Sequence, residues 1–261
     1  MFIEYIAKIF LTFGHDTIVV PLVILGYIWL DKRVFYSAVC LVLVSMIFNT
    51  ALKVTFKIPL AANINKEWFA FPSGHMQTVV VLYGWLMAKT KNNIVRLFLL
   101  TILAGEWFSL IYFGYHNQYD IVGAVFFGLV LLLVYQMILS KKELHLPWIL
   151  FYLTTVMMIY IAYVYHIKYH VWMAYYALIG FMISEYLCSQ SMHLIKTRSS
   201  FGSYQILNKI IATILCLGII FLVKELFKTK CMADLEVVIS QMQWGLIGLS
   251  IPFSRWVAKI N

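Results

Sequence analysis

The residues of this sequence best placed to do chemistry are two histidines, one carboxylate and a pair of lysines. His116 and Asp120 are four residues apart, so on one helix they share a face and the carboxylate can hold the imidazole. An imidazole held in this way has a fixed tautomer and a more nucleophilic free nitrogen. His75 follows Pro72, Ser73 and Gly74 at the expected amino end of a helix, where free backbone N–H groups and the helix dipole favour a phosphate oxygen. Lys53 and Lys57, also four apart, can turn two ammonium groups toward a common anion. Together these residues form a phosphoryl-transfer constellation that calls for no metal and no other cofactor. Cys40, Cys188, Cys216 and Cys231 show no C-x-x-C spacing, so neither a zinc site nor a disulfide framework is expected.

The elements that must position these side chains are membrane helices. Of the 261 residues, 63% are apolar and only 12% charged, against about 25% charged in soluble domains. A 17% aromatic share excludes a disordered chain, a coiled coil and a disulfide miniprotein. The formal charge of +9 comes from basic residues scattered between apolar blocks, so no nucleic-acid footprint and no nucleic-acid partner is expected. Apolar blocks predict an all-α polytopic bundle with spans near 17–30, 34–52, 76–89, 94–114, 119–139, 147–165, 171–190, 207–227 and 236–257. Residues 1–16 carry Glu4 and Lys8 where a signal peptide would be apolar, and Phe2, Ile6, Ile9 and Phe13 recur at helical spacing. We read this segment as an amphipathic helix in the membrane interface rather than as a removable leader.

If each break changes side, Lys32, Arg33, Lys89, Lys91, Arg96, Lys141, Lys142, Lys196, Arg198, Lys209, Arg255 and Lys259 share one face, which the positive-inside rule makes cytoplasmic. The amino end is then outside and the carboxyl end inside. Three polar segments meet on the outer face: ALKVTFKIP, AFPSGHM and SLIYFGYHNQYD. The compact connections favour a bacterial inner membrane, with the site on its periplasmic or extracellular side.

These segments resemble the three-part signature of the type 2 phosphatidic acid phosphatase superfamily: a phosphate-contacting lysine, then PSGH, then Ser-Arg-five residues-His-three residues-Asp. PSGH at 72–75 matches completely, and Ser109, His116 and Asp120 match in spacing. The resemblance implies a six-helix catalytic core over 17–165 and about three further spans over 166–261. It implies His116 as a nucleophile forming a phosphohistidine, Asp120 orienting it, and His75 as general acid. Ser73, Gly74 and Lys53 become phosphate ligands, and the bilayer supplies the substrate, a lipid phosphate or pyrophosphate.

Both arginines of the signature are missing: Leu60 and Leu110 stand at their places. A charge-assisted hydrogen bond is worth about 1.5 to 3 kcal/mol, so two losses weaken binding of a phosphate dianion unless other groups substitute. Three readings follow. A phosphatase keeps Lys57 and backbone donors in place of the guanidinium groups. A phosphodiester transferase, similar to sphingomyelin synthases, needs less charge compensation. The third is a degenerate protein, and a transporter or membrane scaffold is the contrasting class. Glu106, one turn before the second missing arginine, would be protonated, paired with a lysine, or facing a cationic head group beside Trp107, Tyr112, Tyr115 and Tyr119. Ser109 is read as a packing residue and Glu185 as a carboxylate paired inside the bundle. His15, His145, His166, His170 and His193 are read as solvated or interfacial.

Overall fold

The computed structural model describes residues 2–60, 68–142, 145–195, 205–227 and 233–258. Among these it has ten helices: α1 Phe2–Thr12, α2 Asp16–Trp29, α3 Lys32–Phe56, α4 Gly74–Lys89, α5 Asn93–Tyr112, α6 Gln118–Lys142, α7 Leu146–Val164, α8 Tyr169–Ile195, α9 Gln205–Leu226 and α10 Ala233–Val257. Every expected span is helical, as a bilayer requires of backbone that cannot bond to water. Local signals set the ends. Asn92 caps α5 by accepting from the Ile94 and Val95 N–H groups, and Pro147 opens α7 where its missing N–H costs nothing.

Six of these helices, α3 and α5 to α9, are long and apolar enough to cross a membrane, so the protein is an integral membrane protein with an all-α polytopic fold. At the amino end two helices stand at the expected places, α1 within residues 1–16 and α2 over the span near 17–30. α1 and α2 bend by 44° at a short break and together have the length and hydropathy of one crossing. α4 is also short, 16 residues, about 24 Å of helix, because the turn that carries His75 starts it late.

The chain divides into two compact units. One comprises residues 1–23 and 34–167, the other 24–33 and 168–261. In the first unit α3 is the most enclosed span, with 67% of its apolar stretch buried against 22% for α6 and for α7. α4 packs against α5 and α6, and α1 against α5. Leu11, Met76, Val80, Leu110, Ile121 and Ala124 form one buried cluster that joins α1, α4, α5 and α6. The central helix therefore carries Lys53, and its neighbours carry the remaining motif residues.

In the second unit α8 and α10 touch backbone to backbone. A Cβ on Gly180 would lie 2.0 Å from the Gly245 carbonyl oxygen, and one on Gly248 would lie 2.2 Å from that of Ala177. Small residues spaced in this way let membrane helices approach closely where no hydrophobic effect drives them together. Gly180→Val should therefore separate α8 from α10 at a cost of about 1 to 3 kcal/mol or more. A clear drop in the thermal midpoint of the detergent-solubilised protein is expected, and an unchanged midpoint would refute this contact. Glu185 is paired in the same unit: it accepts from the Tyr27 hydroxyl, from Lys32 Nζ at 2.7 Å and from Ser189 Oγ at 3.0 Å.

Candidate active site

The site forms where the carboxyl end of α3, the amino end of α4 and the α5–α6 turn meet. A short antiparallel clasp shapes the α3–α4 connection: the Leu60 N–H donates to the Trp68 carbonyl and the Ala70 N–H to that of Ile58, around a Pro59–Phe69 bridge. The clasp places two carbonyls over α3. Lys53, 6% exposed, donates through Nζ to the Phe69 oxygen at 2.6 Å and the Ala70 oxygen at 3.0 Å. Its ammonium group thus holds the loop, with two of its three protons used by described acceptors.

Ser73 is the N-cap of α4. Its hydroxyl accepts from the Met76 N–H, while no described acceptor takes the N–H groups of Gly74 and His75. Asn49, one helical turn before Lys53, fixes this loop from below. Its amide donates to the Pro72 carbonyl at 3.2 Å and to Gln77 Oε1 at 2.9 Å, and Gln77 in turn donates to Ser45. These groups are buried, and the mutual satisfaction of polar atoms in an apolar span makes such a network rigid.

The third segment is built around Asp120, 2% exposed. Asn117 and Asp120 form a reciprocal capping box at the start of α6: Asp120 Oδ2 accepts from the Asn117 N–H at 3.1 Å, and Asn117 Oδ1 from the Asp120 N–H at 2.9 Å. The same Oδ2 lies 3.2 Å from His116 Nδ1, which leaves Nε2 as the free ring nitrogen. Capping and holding the imidazole are one arrangement. The Ser73 N–H donates to the Asp120 carbonyl at 3.0 Å, which ties the two motif loops directly to each other. Burial holds the His116 imidazole below the ordinary histidine range, and the nearby Lys53 charge adds to this. The hydrogen bond and charge of Asp120 oppose it.

The Ser73–Asp120 and His116–Asp120 hydrogen bonds, with those from Lys53 to the Phe69 and Ala70 carbonyls, bring His75, His116, Asp120, Lys53, Ser73 and Gly74 into one place. They do not bring Lys57. That residue is exposed, in the left-handed region at φ 52° as α3 ends, outside the hydrogen bonds of the cluster. Glu106 is fully buried, with no described hydrogen-bond partner. Its Oε1 is 2.7 Å from the place of a Cβ on Gly14, beside which Val79 also packs. A carboxyl in that position is not open to a head group, nor is it paired with a described lysine. Tyr112, Tyr115 and Tyr119 are exposed, and Tyr112 and Tyr115 stack on Phe108 and Phe113.

Ser109 donates to the Gly105 carbonyl one turn back, a packing role. Leu110, in place of an arginine, is 1% exposed in the apolar cluster. His15, read as solvated or interfacial, has a ring neighbour in the site. It is exposed, but its ring stands 5.5 Å, centroid to centroid and edge-on, from that of His75. Asn49, Gln77 and His15 were missed as site residues. The signal for Asn49 was its place four residues before Lys53 inside an apolar span; no spacing rule linked His15 to His75, 60 residues away.

Compared with known protein families, residues 33–143, which run from α3 to just past α6, match the model described as the PAP2 superfamily. No curated protein and no solved structure matches the chain.

Proposed function

From the premise that residues 33–143 place this chain in the type 2 phosphatidic acid phosphatase superfamily, we propose that it is a lipid phosphatase. It hydrolyses a lipid phosphate or pyrophosphate at the outer leaflet, on the periplasmic or extracellular side of a bacterial inner membrane. The observation that carries this reading is the Asp120 junction: one residue holds His116 Nδ1 through its carboxylate and the PSGH loop through its carbonyl. The phosphoryl group is bound by the N–H groups of Gly74 and His75 at the start of α4 and by Lys53.

His116 Nε2 attacks phosphorus, the bond from phosphorus to the leaving oxygen breaks, and His75 gives that oxygen its proton. Water then attacks the phosphohistidine, His75 takes a proton from it, the bond from phosphorus to His116 Nε2 breaks with its electron pair returning to the imidazole, and inorganic phosphate leaves. A second reading, phosphodiester transfer with a lipid or sugar hydroxyl as acceptor, is favoured by one observation: the leucines at 60 and 110 leave the site without guanidinium charge.

Product analysis separates the two. Purified protein is offered phosphatidate, polyprenyl pyrophosphate and phosphatidylcholine in chelator, and both free phosphate and head-group transfer are followed. Phosphate release from either of the first two is the expected result. Transfer or diester cleavage without phosphate release would replace the phosphatase with the transferase, and inertness toward all three would favour a scaffold.

A further inference from the structure

The missing arginines leave the site short of positive charge, and the amino-terminal segment lies where it can supply some. This segment is outside residues 33–143. It packs on the place vacated by one arginine, since Leu11 of α1 shares an apolar cluster with Leu110. Four residues later the break between α1 and α2 brings His15 to His75.

The break is a built turn. The Phe13, Gly14 and His15 N–H groups donate to the carbonyls of Phe10, Leu11 and Thr12 at 3.1, 3.2 and 3.1 Å. The Tyr83 hydroxyl of α4 donates to the Phe13 carbonyl at 2.8 Å. Gly14 packs against the Glu106 carboxyl, too closely for a side chain. Tyr83 and His75 belong to the same helix, so the turn and the catalytic loop are held in one frame.

We propose that His15 is a third histidine of the phosphate site, which in its protonated form supplies positive charge that the absent guanidinium groups do not. The ligand is the tetrahedral phosphate oxyanion of the substrate, so the inference rests on the function proposed above. The charged and titratable groups around it are His75 on α4, Asp16 at the start of α2 and Glu106 on α5 behind Gly14, with Lys53 and His116 beyond His75. Arginine is cationic at every working pH, whereas histidine is cationic only toward acid. Phosphate binding here should therefore tighten as pH falls, more than the ligand's own titration would give.

Inorganic phosphate binding to the full chain in detergent, by calorimetry at pH 6 and pH 8, tests this with wild type, His15→Asn and His15→Arg. All proteins meet the same phosphate species at a given pH, so ratios of dissociation constants isolate the side chain. His15→Asn should weaken binding about tenfold at pH 6 and less than about twofold at pH 8. His15→Arg should restore wild-type affinity at pH 6 and exceed it about tenfold at pH 8. A merely structural role for His15 would give equal losses at both pH values with no rescue by arginine, and would overturn the inference. If both variants match wild type while His75→Ala abolishes binding, the inference fails and the phosphate site stands. If wild-type protein binds no phosphate, or His75→Ala binds it as well as wild type, the proposed function and the inference fail together.

Discussion

Phosphate release by the His116→Ala protein should fall on the order of 10⁴-fold or more, because the substitution removes the proposed nucleophile. Asp120 is spent on capping α6 and on the imidazole itself, and Lys53 Nζ is turned to the Phe69 and Ala70 carbonyls. The imidazole packs against Asp120 at the mouth of the α5–α6 turn with 11% of its surface exposed. Its loss should leave helix packing and the thermal midpoint nearly unchanged. Rapid acid-free quenching of wild type with labelled substrate should trap a base-stable, acid-labile phosphoprotein that His116→Ala lacks. A trapped intermediate persisting in the variant would move the nucleophile to another residue.

Asp120→Asn should lower kcat by roughly 10²- to 10³-fold with little change in KM, since phosphate contacts remain while the tautomer and charge support of His116 are lost. Asparagine can still accept from the Asn117 N–H, so the start of α6 survives. The pH profile separates this from a general loosening of the site. His116 must be neutral to attack, so activity is full above its pKa and falls as pH drops through it. Burial first, and then Lys53, hold that pKa below the ordinary histidine range, which puts the acid limb of wild type there. Asp120 raises the His116 pKa, so its removal should carry the limb to still lower pH. A limb that stayed in place, or moved upward, would show that Asp120 supports His116 by shape alone.

The all-α membrane fold could be read from composition and block length, because a bilayer admits apolar helices and little else in a chain so poor in charge. The His116–Asp120 pair was equally legible: four residues is one turn, and the capping box that fixes Asp120 is itself local, written in Asn117 and Asp120. Ser73 as an N-cap and the free N–H groups after it follow from the PSGH turn in the same way. These features depend on neighbours in sequence, where covalent geometry fixes what can meet.

Long-range packing decided the rest. Lys53 could not be told from a snorkelling lysine until the Pro59–Phe69 clasp brought two carbonyls back over α3. Lys57 has the same residue type and a helical spacing from Lys53, yet α3 unwinds into the left-handed region there and leaves it exposed. Glu106 could be protonated, paired or facing a head group by sequence, and it is closed in the fold by Gly14 from the turn between α1 and α2. His15 reached the site through a bend between α1 and α2 that no periodicity marks. The physical reason is common to all four: local bonding selects each helix and its caps, whereas the partner of a side chain at a helix end depends on where another helix, remote in sequence, is packed.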